Sequence, residues 1–195
     1  GVNICYQWTS EVRFLLMPLA LVLIPATLVM INRNGRRISA LFEARKRKIL
    51  FLIVILSLTL VTVYTQCWVL GTRYLRESQL GRHLDVLNNR ACNPWQYRVL
   101  SEGFSFLFLK AGSAVGFSSP VIPFIFFRAL QNIAIFLLAA AFYRRLQLSP
   151  AQVVLGLVLI GWGMSYAFYN SDLHFSTYTD IIFYLVGFLV ILSGR

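Results

Sequence analysis

Three polar side chains interrupt an otherwise apolar run: Arg128, Gln131 and Asn132 in "FFRALQNIAIF". At spacings of three and four they share one helix face and form a single polar stripe. A guanidinium inside such a run costs on the order of 3 kcal/mol or more unless it meets a cavity or a partner. Two readings are open for Arg128: a polar site within a helix bundle, or snorkelling to the nearer headgroup layer. Upstream, "GRHLDVLNN" sets Asp85 close to His83 and Arg82. A carboxylate there can act as a general base beside cations that hold a phosphate, or it can be a solvated helix acid paired with Arg82 or Asn89. In "NPWQYRVLSE", Tyr97 and Arg98 precede Glu102, and the simplest reading of Arg98 and Glu102, four apart, is a helix salt bridge. Downstream, Asp172 and His174 suit a cap or a site. Tyr178 and Asp180 open the last apolar run, where an acid suits either a site or the helix dipole.

These residues sit in a chain of 195 residues that is 58% hydrophobic and 13% charged, with a mean hydropathy of +0.69. That is too apolar for an ordinary soluble domain. The expected class is all-α: a polytopic transmembrane helical bundle forming one membrane domain over residues 1–195. A crossing needs roughly 20 mainly apolar residues. Five runs qualify, at about 14–31, 49–70, 121–143, 151–169 and 175–192. The first carries Pro18 and Pro25, and the fourth is rich in small residues that permit close helix contact. Between the second and third lies the segment 71–120. Its part from Thr72 to Asn89 reads as a polar helix, broken by Pro94, and the apolar but charged stretch that follows reads as an interfacial or re-entrant helix. Gly112 and Gly116 suit either a helix contact or a flexible connector. The chain begins at Gly1 and ends directly behind an apolar run, so it is expected to belong to a longer one.

Orientation follows from Lys and Arg in short loops. The loop 32–48 holds seven basic residues against Glu43 alone, which assigns it to the cytoplasm and the segment 71–120 to the extracytoplasmic side. Arg144 and Arg145 then return to the cytoplasm. The net charge of +11 is accounted for by topology and anionic lipid, without nucleic acid. Arg73, Arg76, Arg82, Arg90, Arg98 and Lys110, all in the outer segment, call for an anionic ligand. Cys5, Cys67 and Cys92 have no metal-ligand spacing, and no Walker loop, HExxH or GxSxG pattern occurs. Zinc chemistry, nucleotide hydrolysis and serine hydrolysis therefore have no support in the sequence.

The order of an outer segment with an Asp, then "NPWQYRVLSE", then a span with "FRALQN", a basic turn, and "YNSDLHFSTYTDIIFYL" resembles the bacterial membrane glycosyltransferases of the GT-C superfamily, over about residues 65–195. The resemblance implies a hexosyltransferase-type enzyme of the bacterial inner membrane and cell envelope. Such an enzyme takes a sugar from a polyprenyl-phosphate donor to a glycan, lipid or protein acceptor on the extracytoplasmic face. It implies Asp85 as the base that activates the acceptor hydroxyl, with Arg98 and Arg82 contacting the donor phosphate. Arg128, Asn132 and Tyr97 would shape the substrate site, and Asp180 matches the later Tyr-x-Asp acid, with Tyr178 as its aromatic partner. No cofactor is evident, and a divalent metal is left open. Two readings from other classes stand beside it: a carrier or flippase for an anionic lipid or glycan, with Arg128 and its amides lining the path, and a non-catalytic membrane scaffold.

Overall fold

The computed structural model describes residues 40–91, 99–166 and 175–194. The expected first span, Tyr97, Arg98, Asp172 and His174 lie outside the described residues. Every regular element among the described residues is helical: α1 (Ala40–Tyr74), a π-helical turn (Leu75–Gln79), α2 (Leu80–Leu87), α3 (Val99–Ala114), α4 (Val121–Arg145), α5 (Pro150–Tyr166) and α6 (Phe175–Ser193). Two stretches, Lys46–Cys67 within α1 and Val121–Arg145, are long and apolar enough to cross a membrane. Pro150–Ser165 and Thr177–Ser193 are shorter apolar helices.

Local chemistry sets the helix ends. α4 closes on Arg144 and Arg145, cations that suit the negative end of the helix dipole. The next residues turn sharply, with Gln147 at φ 59°. Ser149 and Gln152 then form a capping box, in which the Ser149 N–H donates to Gln152 Oε1 at 2.8 Å, with Pro150 at the first helical position of α5. Asn89, at φ 58°, ends α2 in the left-handed conformation that asparagine tolerates best among residues with a side chain.

α4 is the central helix and touches α1, α3, α5 and α6. Arg144 lies over the Phe51 ring at 4.3 Å, and Asn132 reaches Gln66, so α1 and α4 run antiparallel. Gln131 meets Phe175 while Phe142 meets Phe188, so α4 and α6 run parallel. At one end of the bundle the core is dry: Val54, Ile55 and Leu58 of α1 pack with Phe136, Ala139 and Ala140 of α4 and with Val153, Leu157 and Val158 of α5. At the other end Leu75, Val121, Phe124, Phe127 and Phe175 form a second, aromatic cluster.

The faces are turned inside out relative to a soluble protein. On α1, Thr59, Thr62 and Gln66 are buried, whereas Leu60 is 72% exposed and Tyr64 58%. On α3, Ser101, Glu102, Ser105 and Gly112 are buried, while Val99, Leu100, Phe104, Phe106 and Leu107 are exposed. α6 likewise buries Tyr178 and Thr179 and exposes Phe183, Tyr184 and Phe188.

One boundary differs from the sequence expectation. The helix does not stop at Leu70 but stays helical through Gly71 and a π turn to Leu87, because one Gly costs a helix only about 1 kcal/mol. The π turn, a single-turn departure from the α spacing, lies between Leu75, which joins the aromatic cluster, and His83, whose ring meets Phe124 edge-on at 6.4 Å. The two readings of the small-residue pair divide between its members. Gly112 is a helix contact, where a Cβ would fall 2.4 Å from Pro123 Cγ, and Gly116, at φ +97°, is the turn between α3 and α4.

Candidate functional site

The stripe on α4 faces inward. Arg128 is 1% exposed, so its head does not snorkel to the bundle surface. Its guanidinium carbon lies 4.8 Å from the centre of the Phe175 ring and 4.7 Å from that of Tyr178. Residues 175 and 178, three apart on α6, present both rings to the same cation. Phe124 and Phe127 close the aromatic wall, with ring centres 5.3 Å and 5.0 Å from that of Phe175.

Hydrogen bonds extend the cluster across three helices. Asn132 Nδ2 donates to Gln66 Oε1 at 3.2 Å, and Gln66 Nε2 donates to the Tyr178 hydroxyl, which Arg128 also approaches. Gln131 Nε2 donates to the Phe175 carbonyl at 2.8 Å and to Thr179 Oγ1 at 3.0 Å. Thr179 Oγ1 in turn lies 3.1 Å from Ser101 Oγ of α3. The amide oxygens Gln131 Oε1 and Asn132 Oδ1 are buried without a donor among the described residues, and so is the hydroxyl of Thr59. A buried acceptor left unmatched costs about 1–3 kcal/mol. Beside a cation, such acceptors suit a ligand that brings negative charge and hydroxyl donors together.

The remaining candidates are distributed as follows. Arg128, Asn132 and Tyr178 share the cluster. Asp180, half-buried, follows Thr179 on α6. Asp85 is exposed on α2, two residues after the buried His83 and so on the opposite side of that helix. Arg82 is half-buried beside it. No described contact brings Asp85 to the Arg128 cluster. Glu102 pairs with His83, whose Nδ1 is 2.8 Å from Glu102 Oε2, both side chains being 2% exposed.

Sequence reasoning passed over Gln66, Thr62, Thr179, Ser101 and the Glu102 partner. The signal available was a glutamine and threonines at spacings of three and four within an apolar run, which is the pattern that singled out α4. Among the described residues no group of three or more His, Cys, Asp or Glu side chains could hold a metal ion. The chain matches no protein-family model, no curated protein and no solved structure.

Proposed function

We propose that the chain is a polytopic helical membrane protein, and that the Arg128 cluster is the donor site of a glycosyltransferase moving a sugar from a polyprenyl-phosphate carrier to an acceptor on the extracytoplasmic face. The membrane reading is supported by the reversed faces. Contiguous exposed Leu, Ile and Phe on α1, α3, α4 and α6 surround an interior that encloses Thr62, Gln66, Arg128, Gln131 and Asn132, a pattern that water penalises and lipid favours. The basic ends agree with it: Arg144, Arg145 and the Lys46–Lys48 stretch lie at one end of the bundle, through the contact of Arg144 with Phe51. The positive-inside rule assigns that end to the cytoplasm and the Phe124–Phe175 end to the outside.

One observation carries the transferase reading. The motif segments "FRALQN" and "FSTYTD", two parts of the GT-C resemblance, pack directly on each other through Arg128, Gln131, Phe175, Tyr178 and Thr179. The chemistry fits. A departing polyprenyl phosphate carries negative charge, and a guanidinium enclosed by apolar rings stabilises it far more than one in water does. The neighbouring amide oxygens fit sugar hydroxyls.

The test is sugar transfer by the full-length protein in liposomes, supplied with radiolabelled polyprenyl-phosphate sugars. Arg128→Gln is expected to lower turnover by about 100-fold or more, with Arg128→Lys in between. Full turnover by Arg128→Gln removes Arg128 from the donor site. A carrier would need the polar face to continue through the bundle, but below Thr59 the interior is filled by Ile55, Leu58, Phe136 and Leu157. That dry half favours a one-sided site.

A further inference from the structure

A second polar group lies outside the Arg128 cluster, between α2 and α3. Glu102 Oε2 meets Nδ1 of His83 at 2.8 Å, and both residues are closed off from solvent. A carboxylate at Nδ1 fixes the ring and its tautomer and leaves Nε2 as the nitrogen that can accept a proton. One helical turn earlier, on the same face, Gln79 is wholly buried, and neither its amide oxygen nor its amide nitrogen has a partner among the described residues. An unmatched C=O and NH2 on one buried side chain fit a group that both donates and accepts, and a hydroxyl is the simplest such group. Phe106, itself 45% exposed, stacks on the imidazole at 6.4 Å and covers it from the outer side.

This group adjoins the first. Ser101, next to Glu102, approaches Thr179, which follows the Tyr178 that holds Arg128. Phe124 touches both the His83 ring and the Phe175 ring on which Arg128 lies.

We propose that His83 is the general base for the acceptor in this reaction, with Glu102 as its positioning residue and Gln79 as the hydroxyl-binding side chain. The assignment rests on the sugar-transfer reading above. The acceptor oxygen forms the new bond to the anomeric carbon, the bond from that carbon to the phosphate oxygen breaks, and the acceptor proton passes to His83 Nε2. Polyprenyl phosphate leaves with the bonding electron pair and is held by Arg128. A base on the inner face of α2 connects to the donor cluster through Phe124, which meets both His83 and the Phe175 ring under Arg128, whereas Asp85 lies on the outer face of the same helix.

The experiment uses the full-length protein in liposomes, radiolabelled polyprenyl-phosphate sugars as donors and a crude membrane extract as the source of acceptor. His83→Ala is expected to lower kcat by about 100-fold or more while the Kd for bare polyprenyl phosphate stays within about twofold. Added imidazole should restore at least about tenfold of the lost rate, which a purely structural role for His83 does not allow. His83→Gln, closer in shape, covers the case in which the alanine variant does not fold. Glu102→Gln should lower kcat with KM for the donor unchanged, and Gln79→Leu should raise KM for the acceptor. Full activity in both His83 variants, or no recovery with imidazole while the lipid still binds, overturns the assignment. An inactive Asp85→Asn beside an active His83→Gln does the same and returns the base to Asp85. A wild-type protein that transfers no sugar removes the transferase reading itself, and the base with it.

Discussion

α4 passes through two different interiors. From Ile135 to Ala140 it packs with Val54, Ile55 and Leu58 of α1, Val153, Leu157 and Val158 of α5 and the Tyr178 ring of α6, a largely apolar surrounding. From Phe124 to Asn132 the same helix carries a cation, two amides and a wall of rings, and the oxygens of both amides find no donor among the described residues. The first half is optimised for packing. The second keeps unmatched polar groups that a folding-only design would replace, which is the usual sign that stability has been given up for a site.

The largest difference is expected from cutting the dry half. Phe136→Ala removes a ring that is fully enclosed and in the central helix, and should cost on the order of 3 kcal/mol or more in thermal unfolding of the purified protein. Arg128→Gln should cost much less in the same measurement while removing the sugar transfer proposed above. Equal destabilisation by the two would erase the contrast between the halves. Next comes the seam between α3 and α4. Gly112→Ala puts a Cβ against Pro123, a side chain locked in a ring, and should cost about 1–3 kcal/mol. A neutral result there would mean that α3 is not docked on α4 as described.

Smaller effects test the polar half from the other side. Thr59→Val exchanges a hydroxyl without a partner for a methyl of the same shape, so stability should be unchanged or higher by up to about 1 kcal/mol. A clear loss would reveal a hidden partner for that hydroxyl. Smallest of all, Gly163→Ala on the open face of α5 meets nothing within 4 Å and should stabilise the helix by no more than about 1 kcal/mol. Melting curves and sugar-transfer assays on one set of variants would sort all five.

Legibility in the sequence was uneven for a physical reason. The third apolar run, the amide stripe on it and the basic end of that helix could all be read from spacing, because a helix fixes which residues share a face. Spacing also offered Arg98, outside the described residues, as a partner for Glu102, but gave no hint of His83, nineteen positions upstream and on another helix, which Glu102 meets. Spacing within one helix ranks local partners only. Gln66 was similarly hidden, since one amide in a long apolar run gives no hint of the Asn132 and Tyr178 that it meets.

By itself the sequence determined the composition of the elements: apolar helices of this length, a polar stripe with a cation on one of them and basic residues at the end of that helix. These follow from periodicity and hydropathy, which are properties of neighbouring residues. Only the tertiary structure decided that Arg128 turns inward between two rings of α6, that Asp85 and His83 look in opposite directions from one helix, and that α3 docks by its polar face. Those outcomes depend on which faces of separate helices meet, and side chains far apart in the chain supply the partners that a buried charge or amide requires.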